Sequence, residues 1–257
     1  TFSVAVKQRG LRSANVSGTA SVKCCGKEGS GLGMITLVTG ETDGVHRNKI
    51  FVGDQALVLE DVKCHGKLIA KKRKRNKSTQ DLTELEEEQE EDKNLCGPIK
   101  WLDVHHNYEW LASFEVNQTE KMWISQLEMS KNIGIQLHAI AGLVSLESPT
   151  YAAVNALNAC VRNKTCYHRV RSEAAIALAK TTGESTNWTG THLLLNFYRD
   201  AFFNPDTFSI SDDGKGEVLG MAEQLVSHST TLAIGLLRDE DGNSPQEATD
   251  FLLDLLK

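Results

Sequence analysis

The spacing of apolar residues changes once along the chain. Up to about residue 116 the period is two. Phe2, Val4 and Val6 alternate with Ser3, Ala5 and Lys7, and Ala20, Val22 and Cys24 repeat the pattern. Residues 34–38 form a β-branched apolar run, and shorter runs follow at 50–52, 57–59, 99–104 and 110–116. Successive side chains on a strand point to opposite faces, so this half predicts short strands broken by Gly, Asn and Asp. That pattern is the signature of a small antiparallel β-sandwich.

From residue 117 to 257 the period is helical. Tyr151, Val154, Leu157 and Val161 share one face, as do Tyr167, Val170, Ala174 and Leu178, and Leu225, Leu232 and Leu236. Start signals agree: Asn117 with Glu120 reads as a capping box, Ser148 as a cap before a first helical Pro149, and Ser244, Pro245 and Glu247 as N-cap, N1 and N3. Gly183 reads as the left-handed stop after Lys180. About seven helices of roughly 12–20 residues, too short to bury a face alone, predict stacked helical pairs. The fold class is therefore α+β and multidomain: a sandwich over residues 1–116, then a HEAT-like α-solenoid over 117–257 that begins a longer array. Within the helical half, Val170, Arg171, Ala174 and Leu178 are the candidate repeat seam. The alanines allow close helix approach, and the arginines can reach carboxylates of an adjoining unit.

One stretch departs from both periods. Lys71, Lys72, Arg73, Lys74, Arg75 and Lys77 form a basic run, and an acidic run follows from Asp81 to Asp92. With almost no large apolar side chains it cannot offset the entropy of ordering, so a disordered insertion is predicted at about 70–96. Such a run can be read by a nuclear-import receptor or touch nucleic-acid phosphates; equally, it can be a solvated loop. No aromatic residue interleaves with the lysines, which removes a base-stacking platform.

Composition narrows the chemistry. Of 257 residues 40% are hydrophobic, enough for a core, and the net charge of −6 gives no global attraction to nucleic acid. No apolar run reaches the roughly 18 residues a membrane span needs. A start at Thr1 and an end inside an apolar period read as an excerpt of a longer polypeptide. Six cysteines without a C-x-x-C pair read as reduced, mostly buried thiols. Five N-x-S/T sequons, at Asn15, Asn76, Asn117, Asn163 and Asn187, are the main hint of secretion, a mild excess over the couple that a chain rich in Asn, Ser and Thr carries by chance.

No His-Glu-x-x-His helix is present, nor a G-x-S-x-G elbow or a P-loop. Gly26, Gly29, Gly31 and Gly33 lead into a strand rather than a helix, so they read as a hairpin tip and not a phosphate cradle. Cys64-His65 and Cys160 with Cys166 and His168 come nearest to metal spacing, but the geometry is poor. No catalytic, cofactor or metal residue is nominated, and no small-molecule substrate is expected. Trp101, Trp110, Trp123 and Trp188 stand near element ends, as seam fillers or as interface anchors.

Certain stretches of the helical half are specific in combination: 122–128 (MWISQLE), 167–174 (YHRVRSEA) with Leu178-Ala179-Lys180, 187–190 (NWTG), 236–239 (LLRD), 244–248 (SPQEA) and 251–257 (FLLDLLK). In this order they resemble the TBP-associated subunit 2 family of the general transcription factor TFIID, proteins that look like zinc aminopeptidases without the catalytic residues. The resemblance covers residues 95–257 well and the earlier strands in outline. After Trp101 the family's Asp-Pro turn is replaced by Val104-His105-His106. It implies a nuclear, non-catalytic scaffold that contacts other TFIID subunits, including the largest subunit and a histone-fold subunit, and core-promoter DNA at the initiator. Two alternatives stand beside it: the rear domains of an active zinc aminopeptidase, and a HEAT-type adaptor, against which the preceding sandwich argues.

Overall fold

The β-branched run after residue 33 becomes the centre of a sheet. In the computed structural model, which describes residues 2–9, 21–25, 33–52, 57–62, 99–104, 113–204, 209–210 and 220–256, strand β3 (Gly33–Glu41) is flanked by β4 (Gly44–Val52) and β6 (Trp101–Val104). Both pairings are antiparallel. A central strand is covered on both faces, and accordingly Leu37, Val38 and Thr39 are all buried rather than alternating. On the edge strand β4 the alternation returns: Ile50 is buried while Arg47, Lys49 and Phe51 are exposed, and edge charges of this kind discourage pairing with another chain. Gly44, at φ 144°, closes the two-residue turn between β3 and β4. Gly40 lies opposite Trp101, and a Cβ there would stand 2.1 Å from the indole nitrogen. Only a glycine leaves room for the fully buried ring.

The second sheet has the order β5-β1-β2-β7, formed by β1 (Phe2–Arg9), β2 (Ser21–Cys25), β5 (Leu57–Val62) and β7 (Ser113–Val116). Here the expectation of a wholly antiparallel sandwich is corrected. β1 and β2 run parallel, with Ala5 opposite Ser21 and Arg9 opposite Cys25. The strands are separated by residues 10–20, close to the dozen or so residues that a parallel connection requires. Periodicity carries no information on strand direction.

Hydrophobic spacing changes at residue 117, but the first compact unit runs from Thr1 to Met129 and the second from Ser130 to Lys257. Helix α1 (Glu120–Met129) packs against β6. Gln118 makes the join. Its amide oxygen accepts from the Leu102 N–H (3.0 Å), and its amide nitrogen donates to the Leu102 carbonyl (2.7 Å) and to Gln126 of α1 (2.8 Å). All three residues are buried, so these bonds satisfy groups that would otherwise be costly.

The second unit holds α2 (Ile133–Val144), α3 (Tyr151–Arg162), α4 (His168–Lys180), α5 (Thr189–Phe202), α6 (Met221–Leu236) and α7 (Gln246–Asp254), with the short pair β8 (Phe203–Asn204) and β9 (Ser209–Ile210) after α5. Its most extensive helix packings join α4 to α6, to α3 and to α2, and α5 to α6, with smaller contacts for α4–α5, α6–α7, α3–α5 and α5–α7. Each helix thus leans on those one or two places away in order. Tyr198 and Phe202 of α5 meet edge to face (5.3 Å), and Tyr198 meets Phe251 of α7 in the same way (5.3 Å), with Ser227 of α6 against the Tyr198 hydroxyl.

Several helix-end expectations shift. Glu120 is the first residue of α1, so the Asn117–Glu120 capping register does not form. Thr150, not Ser148, caps α3, accepting from the Ala152 N–H at 3.2 Å. Pro245 stands outside α7, at ψ 140°. α4 does end at Lys180, but Gly183 is extended; the left-handed residues are Asn187 and Trp188. A threonine network holds that turn, with Thr186 Oγ1 accepting from the Gly183 N–H and the Trp188 N–H donating to the Gly183 carbonyl, both at 3.1 Å.

Candidate interaction surfaces

Helix α4 is the hub of the second unit, packing against α2, α3, α5 and α6. Small residues make this possible: Val170, Ala174 and Leu178 are fully buried on it, with Ala175 and Ala177 alongside. Arg171 lies in the same interior, 2% exposed. Its Nε donates to the Val161 carbonyl of α3 (2.9 Å), and its two terminal nitrogens grip the Glu223 carboxylate of α6 at 2.5 and 3.2 Å. A planar guanidinium supplies this fork and an ammonium cannot. One side chain therefore joins three helices. Glu223 lies 52 positions further on and carries no local mark, so sequence reasoning named the arginine and missed the acid.

Helix α6 has two apolar faces. Val226, Thr230, Ala233 and Ile234 turn inward, whereas Met221, Leu225, Leu232 and Leu236 are between 38% and 79% exposed. The expectation that Leu225, Leu232 and Leu236 form the core face is corrected: the smaller residues fill the tight seam with α4, and the leucines form an outward stripe. Tyr151 and Tyr167 are likewise exposed, at 54% and 49%, while the rest of their predicted faces is buried.

Among the described residues of this unit, two grooves stand out. One, of about 390 Å³, lies between α2 and α4 over Leu137, Ile140, Val144 and Ile176, rimmed by Lys180 and the Arg169–Glu173 ion pair at 2.8 Å. The other, of about 410 Å³, joins Trp188 and His192 to the acidic residues Asp239, Glu240, Asp241 and Glu247. Trp123 is buried on α1, whereas Trp188 is half-buried.

The basic run of Lys71, Lys72, Arg73, Lys74, Arg75 and Lys77 lies outside the described residues, as do the charged insertion, the glycines at 26, 29 and 31, Cys64, His65, His105, His106 and Trp110. Cys160 and Cys166 are free thiols. Among the described residues, Glu41, Asp43 and His46 at the β3–β4 turn bring potential metal-binding atoms within 4.8 Å of one another, with the His46 imidazole against the Asp43 carboxylate at 3.1 Å. No helix of the described residues is long and apolar enough to cross a membrane.

Comparison with known proteins adds two family matches. Residues 2–119 match the family described as "TAF2 Ig-like domain", and residues 120–257 match the one described as "TAF2-like, TPR repeats". TPR and HEAT repeats are both stacked helical pairs; the description names the former. Among curated proteins, the chain is similar to transcription initiation factor TFIID subunit 2 of Schizosaccharomyces pombe, 28% identical over 65% of the chain. It is also similar to the proteins of that name from Gallus gallus and Caenorhabditis elegans, each 25% identical over 88% of the chain. The chain spans 14% to 21% of the length of these relatives. With one family covering the strands and a second the helices, the chain belongs to the TAF2 family.

Proposed function

We propose that this chain is a non-catalytic scaffold segment of a TFIID subunit. In the nucleus it supports assembly with other TFIID subunits, the largest subunit and a histone-fold subunit among them, and recognition of core-promoter DNA at the initiator during transcription initiation. The observation that carries this reading is the order of helix packing, in which each helix leans on neighbours one or two places along. Packing of this kind builds an extended superhelical surface, a solenoid of helical pairs, rather than a closed reaction chamber. The predicted seam of Val170, Arg171, Ala174 and Leu178 gives the array its rigidity. The basic run at 71–77 serves nuclear import or contacts promoter phosphates.

Cross-linking mass spectrometry of the assembled complex tests the scaffold role. Exposed Lys131, Lys164 and Lys180 should cross-link to other subunits; cross-links confined to this chain would sink the reading. Replacing the six basic residues at 71–77 with alanine should lower nuclear accumulation, or lower promoter affinity with a reduced salt dependence. No change in either assay leaves that run a solvated loop.

A further inference from the structure

The buried face of the β3–β4 hairpin turns polar toward its tip. Leu37 of β3 and Ile50 of β4 are buried on that face, and the strand period adds Thr39 and Glu41 on β3 and His46 and Asn48 on β4. Thr39 stands directly opposite His46 and two residues before Glu41, so the three side chains share one patch. Thr39 has no exposed surface and Glu41 is 5% exposed. The Thr39 hydroxyl makes no hydrogen bond, and neither does the buried Nδ2 of Asn48, diagonal to it across the hairpin. Buried polar atoms are nearly always bonded, to protein, to water or to an ion, so two such atoms in one patch point to a further group among them.

The neighbouring side chains suit a cation. His46 Nε2 lies 3.1 Å from Asp43 Oδ1, and the potential ligand atoms of Glu41, Asp43 and His46 all lie within 4.8 Å of one another. Two ligands held at about 2.1 Å by one tetrahedral zinc ion stand roughly 3.4 Å apart, so the triad is within side-chain adjustment of that spacing. The two-residue turn supplies the convergence: it carries Asp43 between the end of β3 and the start of β4, with Gly44 at φ 144° making the reversal.

We propose that Glu41, Asp43 and His46 form a binding site for a divalent first-row transition-metal ion of the zinc type. An imidazole nitrogen with two carboxylates selects such ions over magnesium and calcium, which take oxygen ligands. The ion takes the place of the proton that joins His46 to Asp43, and that proton is released to solvent. Two carboxylates balance its charge, which suits the burial of Glu41. The Thr39 hydroxyl gains a partner in the water that completes the ion's shell. The bound ion pins the tip of the hairpin.

The test uses the full 257-residue chain, reduced and stripped of metal with a chelator, and Zn²⁺ and Co²⁺ as probes. Calorimetry should give one equivalent of Zn²⁺ per chain at this site, not displaced by excess Mg²⁺. The Co²⁺ complex should show ligand-field bands without a thiolate charge-transfer band, which excludes the cysteines as ligands. His46→Ala and Asp43→Asn should each weaken binding by about tenfold or more, with unchanged circular dichroism. His228→Ala, an exposed histidine elsewhere, should bind as the wild type does. No binding by the wild type, a thiolate band, or affinity undiminished in Asp43→Asn, whose change lies in an exposed turn, would each overturn the proposal.

Discussion

Arg171 and Glu223 close a two-pronged ion pair across the α4–α6 seam, with the arginine 2% and the glutamate 29% exposed. Because Arg171 also takes the Val161 carbonyl, its loss strands an acid and a backbone acceptor at once. Arg171→Leu should destabilise the chain by about 2–4 kcal/mol in urea denaturation, the lower end reflecting water's access to the glutamate. Adding Glu223→Leu should recover part of that loss. A double variant no more stable than the single one would mean that the carboxylate is indifferent to its partner.

Ala174 has no exposed surface, at the centre of the hub helix. Ala174→Asp places an unpaired carboxylate among apolar side chains, which should cost several kcal/mol, roughly 3 or more. The expected outcome is loss of the cooperative melt of the helical unit by circular dichroism. An unaltered melt would contradict the placement of α4.

Gly40 faces the Trp101 ring with no room for a methyl group. Gly40→Ala should force the indole aside, cost about 1–3 kcal/mol, and change the near-ultraviolet tryptophan signal. Gly44→Ala is the contrast: it meets no atom within 4 Å, but its φ of 144° disfavours a side chain. It should lower stability without moving the tryptophan signal.

Cys160 gives a pH dependence of known sign. In the folded chain burial pushes its thiol up to about 12 from an ordinary 9.0. Above pH 9 the unfolded chain has lost that proton and the folded chain keeps it. Its contribution to stability is therefore whole below pH 9 and is lost between 9 and 12. Melting temperatures at pH 8 and pH 10 should differ less for Cys160→Ala than for the wild type. Equal differences would show that the buried thiol plays no part.

The residues that declared themselves in sequence were those whose role is local. Runs such as 34–38 announced strands, because period two is a property of neighbouring positions. Val170, Ala174 and Leu178 fell on one helical face for the same reason. What depended on distant partners was hidden. Nothing near residue 223 says that an arginine 52 positions back will meet it. The parallel pairing of β1 with β2 depends on how the chain returns, not on alternation. On α6 both faces are apolar, so period alone could not say whether Leu232 or Ala233 turns inward, and the tighter seam took the alanine. Helix starts moved by a residue or two where several capping side chains competed, as with Ser148 and Thr150.

The side-chain amide of Gln118 stands where a further strand's peptide group would sit, occupying both hydrogen-bonding groups of Leu102. That rim of the sheet is plugged: an invading extended segment, from a second molecule or from an unfolding neighbour, would have to evict a buried glutamine before gaining its first rung. At this position a side-chain amide does what a neighbouring strand's peptide would do, and removes one pair of groups from those an added strand could use.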